Sequence, residues 1–151
     1  MQLTQKETEL LKDLKEEETL CVDKYSRHAS CAKDTQLQSL FRQIAENEQH
    51  HLDTIVKMQQ GEVPKMSSGS SSSQPTFSPT YRTADSEDKK SDRYLCNDVL
   101  STEKHASHLY DTCIFEFKDE NARNVLNHIQ KEEQEHGKMI YDYMSTNSMY
   151  S

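Results

Sequence analysis

Ile44-Ala45-Glu46-Asn47-Glu48-Gln49-His50-His51-Leu52-Asp53-Thr54-Ile55 and Ile129-Gln130-Lys131-Glu132-Glu133-Gln134-Glu135-His136-Gly137-Lys138-Met139-Ile140 are two versions of one helical pattern. Positions 44, 48, 51 and 55 share one face of an α-helix, so each stretch is a core stripe interrupted by a Glu and a His. The two lie 85 residues apart, and the correspondence continues outward. Leu10 aligns with Leu95, Asp13 with Asp98, Glu18 with Glu103, Tyr25 with Tyr110, and Lys33-Asp34 with Lys118-Asp119. An internal duplication explains the whole set.

Each half predicts two helices with a short break, because Asp34 and Asp119 are good N-cap residues for a helix that follows at once. The expected helices are near 5–33, 36–60, 88–118 and 121–144. The apolar stripes have helical spacing: Leu11, Leu14, Cys21, Tyr25 and Ala32, then Leu37, Phe41, Ile44, Ile55 and Met58. The second half repeats them with Cys96, Val99, Ala106, Tyr110 and Phe117, then Val125, Leu126, Ile129, Ile140, Tyr143 and Met144. Between them, from about 61 to 87, a Ser-rich run from Ser67 to Ser73 with Pro64, Pro75 and Pro79 has the composition of a linker that holds no packed element. If a two-fold axis relates the hairpins, helix 3 begins at the end opposite to where helix 2 stops, roughly 40 Å away. About 25 residues at ~3.3 Å each cover that distance. The expected fold is all-α: a single domain over 1–151, a four-helix bundle of two duplicated hairpins (about 5–60 and 88–144) joined by one long crossover, with a short tail at 145–151. A bundle with one such crossover is the ferritin-like arrangement.

Composition agrees. Of 151 residues, 32% are hydrophobic and 29% charged, with three Gly and three Pro, which suits long amphipathic helices with solvated outer faces. A net charge of −8 without clustered Lys and Arg argues against nucleic acid as partner. No stretch reaches the ~18 apolar residues of a membrane span, and the N-terminus lacks a signal peptide's apolar region, so cytoplasmic synthesis and no membrane association are expected. Cys21, Cys31, Cys96 and Cys113 form no CxxC pair and are expected to be buried thiols.

Glu18, Glu48 with His51, Glu103, and Glu133 with His136 stand where the period demands core residues. Measured from the hairpin turn at 1.5 Å per residue, Glu18 and Glu48 both lie ~22 Å away and face each other at one height. The same arithmetic levels Glu103 with Glu133, and the three-residue step places each His one turn beyond its Glu on the same face. Four buried carboxylates repel one another, and two divalent cations neutralise them. Hard oxygen ligands with one imidazole per metal select iron or manganese. ExxH alone is a weak motif, but both copies sit at the duplication distance and each has a Glu 30 residues upstream. Tyr25 and Tyr110 lie two turns beyond Glu18 and Glu103, placed to hydrogen-bond beside the metals, to transfer an electron, or simply to fill the core. His28, His50, His105, His108 and His128 fall off the stripes or lack a partner Glu. Glu16-Glu17 and Glu132 with Glu135 are expected on a solvated face.

With these residues in hand, the chain resembles the ferritin-like superfamily, including bacterioferritins and rubrerythrins, over nearly all of both hairpins. That resemblance implies bridging Glu48 and Glu133, terminal Glu18 and Glu103, and one His per metal from His51 and His136. A closer resemblance is to the coat F type of spore coat proteins. It is carried by Asp98-Val99-Leu100-Ser101-Thr102-Glu103-Lys104, by Tyr110-Asp111-Thr112 with Ile114-Phe115-Glu116-Phe117, and by Val125 through Gly137. This implies a spore coat setting. Nothing resembles the rubredoxin module of rubrerythrins, so a peroxidase of this type would take electrons from an outside reductant.

Two readings follow. In the first, a di-iron or di-manganese centre reacts with O₂ or peroxide, making the chain an oxidoreductase of ferroxidase, peroxidase or catalase type. In the second, the chain is a structural spore coat protein whose site holds no metal or one that only locks the hairpins together. The partners these readings admit are a second copy of the chain and other spore coat proteins, reached through the linker or the segment Tyr141 to Tyr150.

Overall fold

The computed structural model describes residues 1–65 and 74–150, so the Ser-rich run, Ser67 to Ser73, lies outside the described residues. Four helices carry the fold: α1 (Gln5–Cys31), α2 (Thr35–Gln59), α3 (Glu87–Glu116) and α4 (Glu120–Thr146), with no strand among the described residues. Each starts on a capping side chain that accepts a backbone N–H from the first turn. Asp34 accepts from Gln36 and Asp119 from Ala122, as the duplicated Lys-Asp pairs predict, while Ser86 accepts from Lys89. Thr4 and Glu7 form a reciprocal capping box at α1. Past the end of α2, Gly61 adopts φ +81°, and a Cβ there would stand 2.7 Å from the Met1 carbonyl oxygen.

Every residue of the four predicted stripes is buried. They form two apolar clusters. One joins Tyr25, Phe41, Ile44, Val99, Ile140 and Tyr143, and the other joins Leu11, Leu14, Ile55, Tyr110, Phe117 and Ile129. The six Glu and His residues on these stripes lie between the clusters along the sequence of each helix.

The helix directions follow from two matching contacts. Glu7, at the start of α1, accepts from the Lys118 N–H just past α3 (3.1 Å), and Asp92, early in α3, accepts from Lys33 (2.8 Å) and Asp34 (3.0 Å) just past α1. Residues 7 and 92 are duplicates, as are 33 and 118. Helices α1 and α3 are therefore antiparallel, and α3 starts at the end opposite to where α2 stops.

The second half of the crossover departs from its composition. Residues 75–83 form no helix or strand, yet Phe77 and Tyr81 pack against the core. Asn147 Oδ1 accepts from the Thr80 and Tyr81 backbone, the Tyr81 hydroxyl donates to Asp92 (2.6 Å), and the buried Lys89 ammonium donates to the carbonyls of Arg82 and Thr83. Two aromatics and a buried cation hold a segment that Pro and Ser content alone marks as loose. Cys31 also departs from expectation: it is exposed, because it ends α1 off the apolar stripe, whereas Cys21, Cys96 and Cys113 are buried. Helix α4 runs two residues further than predicted; within the Tyr/Met segment Tyr143 and Met144 are buried on its stripe, Met149 is buried beyond its end, and Tyr150 is exposed.

Candidate metal centre

Glu18 comes from α1, Glu48 and His51 from α2, Glu103 from α3, and Glu133 and His136 from α4, and all six are at most 3% exposed. The structure brings them into two overlapping groups. In one, Glu18, Glu48, His51 and Glu133 each offer a ligand atom within 4.8 Å of the others; in the second, Glu48, Glu103, Glu133 and His136 do the same. Glu48 and Glu133 belong to both. His51 Nδ1 lies 2.9 Å from Glu133 Oε1, 3.1 Å from Glu48 Oε1 and 3.8 Å from Glu18 Oε1. His136 Nδ1 lies 3.2 Å from Glu48 Oε1, 3.3 Å from Glu103 Oε1 and 3.7 Å from Glu133 Oε2. The two rings stack 5.9 Å apart.

The far side of each imidazole is also engaged, across the hairpins. His51 Nε2 meets Glu132 Oε1 at 2.9 Å, and His136 Nε2 meets Asn47 Oδ1 at 2.8 Å. Acceptors stand at both nitrogens of each ring, so without a cation each imidazole is held protonated and donates from Nδ1 and Nε2 alike, and a cation among the carboxylates would displace the Nδ1 proton. Positions 47 and 132 are duplicates. Glu132, expected on a solvated face, is instead half-buried against His51, and Asn47 takes the equivalent place against His136. The available signal was their place one residue before Glu48 and Glu133 in the repeat, on the flank where α2 meets α4. Glu17 is likewise buried rather than solvated.

The tyrosines cross over in the same reciprocal way. Tyr25 donates to Glu103 Oε1 (2.7 Å) and Tyr110 to Glu18 Oε1 (2.5 Å), both in buried surroundings. The remaining histidines stay outside the cluster; His28, for example, pairs with Asp98 on the surface of α1 and α3 (2.7 Å).

Crowding of like charges shows in the acidities. Burial, then the neighbouring Glu48 carboxylate, pushes Glu18 up to about 8. Burial, with Glu103 and Glu48 beside it, holds Glu133 well above the carboxylate range. Burial alone would raise Glu48 too, but the imidazoles of His136 and His51 outweigh it and hold that carboxyl low. Burial opposes charge on His51, yet Glu132, Glu48 and Glu18 lift it to about 10; Glu103 leads the same effect on His136.

The residues fit a metal pair on one further count. Glu18 Oε2, both oxygens of Glu48, Glu103 Oε2 and Glu133 Oε2 are buried without a hydrogen-bond partner. Unpaired buried carboxylate oxygens are costly, and five in one layer form a donor set that cations would satisfy. Four carboxylates balance two divalent ions, and carboxylate oxygen with imidazole nitrogen suits iron or manganese.

Among the described residues no helix is long and apolar enough to cross a membrane. No curated protein and no solved structure matches the chain. A family model does match, and it is not a ferritin-like one. Residues 91–151, from the first turns of α3 through α4, are similar to the Coat F domain, and all three stretches that carry the coat F resemblance lie inside that match.

Proposed function

We propose that this chain is a spore coat protein whose ferritin-like bundle holds two divalent metal ions, iron or manganese, that react with O₂ or peroxide. The observation that carries the reading is the pair of overlapping groups in which four buried carboxylates and two imidazoles each offer a ligand atom within 4.8 Å of the others in their group, with five carboxylate oxygens lacking a hydrogen-bond partner. Glu18 and His51 would hold one ion, Glu103 and His136 the other, and Glu48 and Glu133 would be shared. Such a pair supplies electrons and an oxygen-binding site. The chain's own residues do the rest. Glu132 and Asn47 hold the Nε2 side of each ring and so orient Nδ1 toward the carboxylates. Tyr25 and Tyr110 each hold one oxygen of a terminal carboxylate, which leaves the second oxygen available. The apolar clusters close the layer off along the helix axes. The Coat F match supports the setting.

The test is metal content. Protein purified without chelator is expected to carry two ions per chain and the Glu48→Ala/His51→Ala double variant far less, by elemental analysis. Equal content in both would sink the assignment. A second reading, in which metals only lock the hairpins, draws on the cross-hairpin bonds from Tyr25 to Glu103 and from Tyr110 to Glu18. Stopped-flow spectra of the ferrous form decide between the two: a reactive centre gives a burst with peroxide or O₂, and a structural one gives slow change or none.

A further inference from the structure

Helices α3 and α4 leave a groove of about 640 Å³ between them. Its inner wall includes Glu103 and Glu133, each with a buried Oε2 that has no partner. Its sides are Leu100, Ser107, Gly137 and Tyr141, and Lys104 and Lys138 stand exposed at its mouth. Lys104 lies 6.0 Å above the Tyr141 ring and Lys138 pairs with Asp142, so both ammonium groups are held near the opening.

The duplication shows what keeps this groove open. Eighty-five residues earlier, the position of Gly137 is filled by Leu52 and that of Ser107 by Val22, both half-buried. The second hairpin thus lacks two apolar side chains beside its Glu. A Cβ built on Gly137 meets only Leu100 Cδ2, at 4.0 Å, which is ordinary contact. Backbone packing therefore does not require glycine here, and a longer side chain would extend into the groove.

We propose that the α3–α4 groove is a binding site for a small anion, which enters past Lys104 and Lys138 and ligates the ion held by Glu103, Glu133 and His136. This rests on the metal-pair reading. Asp142 pairs with Lys138 and Asp111 offsets Lys104 at the mouth, so it is the divalent ion itself, once held by Glu103, Glu133 and His136, that would make the groove favour a small anionic donor. The space falls within the usual range for small-molecule sites and exceeds what a two- or three-atom ligand occupies. The site is one-sided: it serves the second hairpin's ion, and Gly137 is its gate.

The experiment uses Co(II)-loaded full chain and azide, followed by visible absorption, with cobalt counted in every variant. Gly137→Leu is expected to keep two cobalt ions and lose at least about tenfold in azide affinity, while Gly137→Ala stays within about twofold of the parent. Equal azide affinity in all three, with cobalt retained, overturns the groove assignment and leaves the metal pair standing. A parent chain that holds no cobalt overturns both. Should Gly137→Leu lose helix content or cobalt, Ser107→Leu blocks the groove from α3 and is read on the same scale.

Discussion

The imidazole on α2 leans on a carboxylate and the imidazole on α4 leans on an amide, although the two occupy duplicate positions in duplicate hairpins. The candidate ligands are chemically identical in both halves: Glu18 matches Glu103, Glu48 matches Glu133, and His51 matches His136. The differences lie one step away, at Asn47 and Glu132 behind the rings and at Leu52 and Gly137 beside the carboxylates. On the metal-pair reading a divalent ion needs the same donors in either half, and the halves diverge only at positions that would not ligate.

The largest expected effect separates shared from unshared carboxylates. Glu48 and Glu133 belong to both ligand groups, so Glu48→Ala or Glu133→Ala is expected to reduce bound metal from two ions per chain to none. Glu18→Ala or Glu103→Ala removes a ligand from one group and is expected to leave one ion. Elemental analysis with circular dichroism as a fold control reads the stoichiometry. If Glu18→Ala and Glu48→Ala lose metal equally, the two positions do not fill separately and the comparison between halves fails.

How far the sequence foretold this layer depends on which face of each helix a residue occupies. The six ligand candidates were legible because a charged residue on an apolar stripe breaks a 3.6-residue period that a single helix displays on its own. Asn47 and Glu132 sit on the flank between α2 and α4, where partner choice depends on how two helices are rotated against each other. No period within one helix records that. Phe77 and Tyr81 were hidden for a related reason: a segment without secondary structure has no period, and its Pro and Ser content describes the chain's stiffness rather than where two aromatic rings dock. The antiparallel course of α1 and α3 was legible only as a condition: a two-fold relation between the hairpins requires it and the crossover's length allows it, and the contacts of Glu7 and Asp92 decide it.

A smaller effect tests whether the backing residues matter. A carboxylate behind an imidazole raises its basicity as a ligand, and removing such a partner typically weakens metal binding about 10- to 100-fold. Glu132→Gln is therefore expected to weaken the position served by His51 by that order, with the second position nearly unchanged. Asn47→Asp should strengthen the position served by His136 and bring the two closer together. Titration with Mn(II) against a competing chelator resolves two affinities in the parent and a narrower gap in Asn47→Asp. An unchanged gap in both variants would mean the difference between carboxylate and amide has no energetic consequence.

The smallest effect concerns whether the halves are energetically one unit. Tyr25→Phe and Tyr110→Phe each leave a buried carboxylate oxygen without its donor, which costs about 1–3 kcal/mol in the metal-free protein. For a chain of this size that lowers the melting temperature by about 2–4 °C per kcal/mol, measured in chelator. Were the two bonds independent, the double variant would lose the sum of the single losses to within about 0.5 kcal/mol. They are not expected to be. Glu18 lies against Glu133 and Glu133 against Glu103, so relaxing one terminal carboxylate changes the charge that the other must bear. A coupling above about 0.5 kcal/mol would show the layer acting as one network through its shared glutamates, and strict additivity would reduce it to two adjacent half-sites.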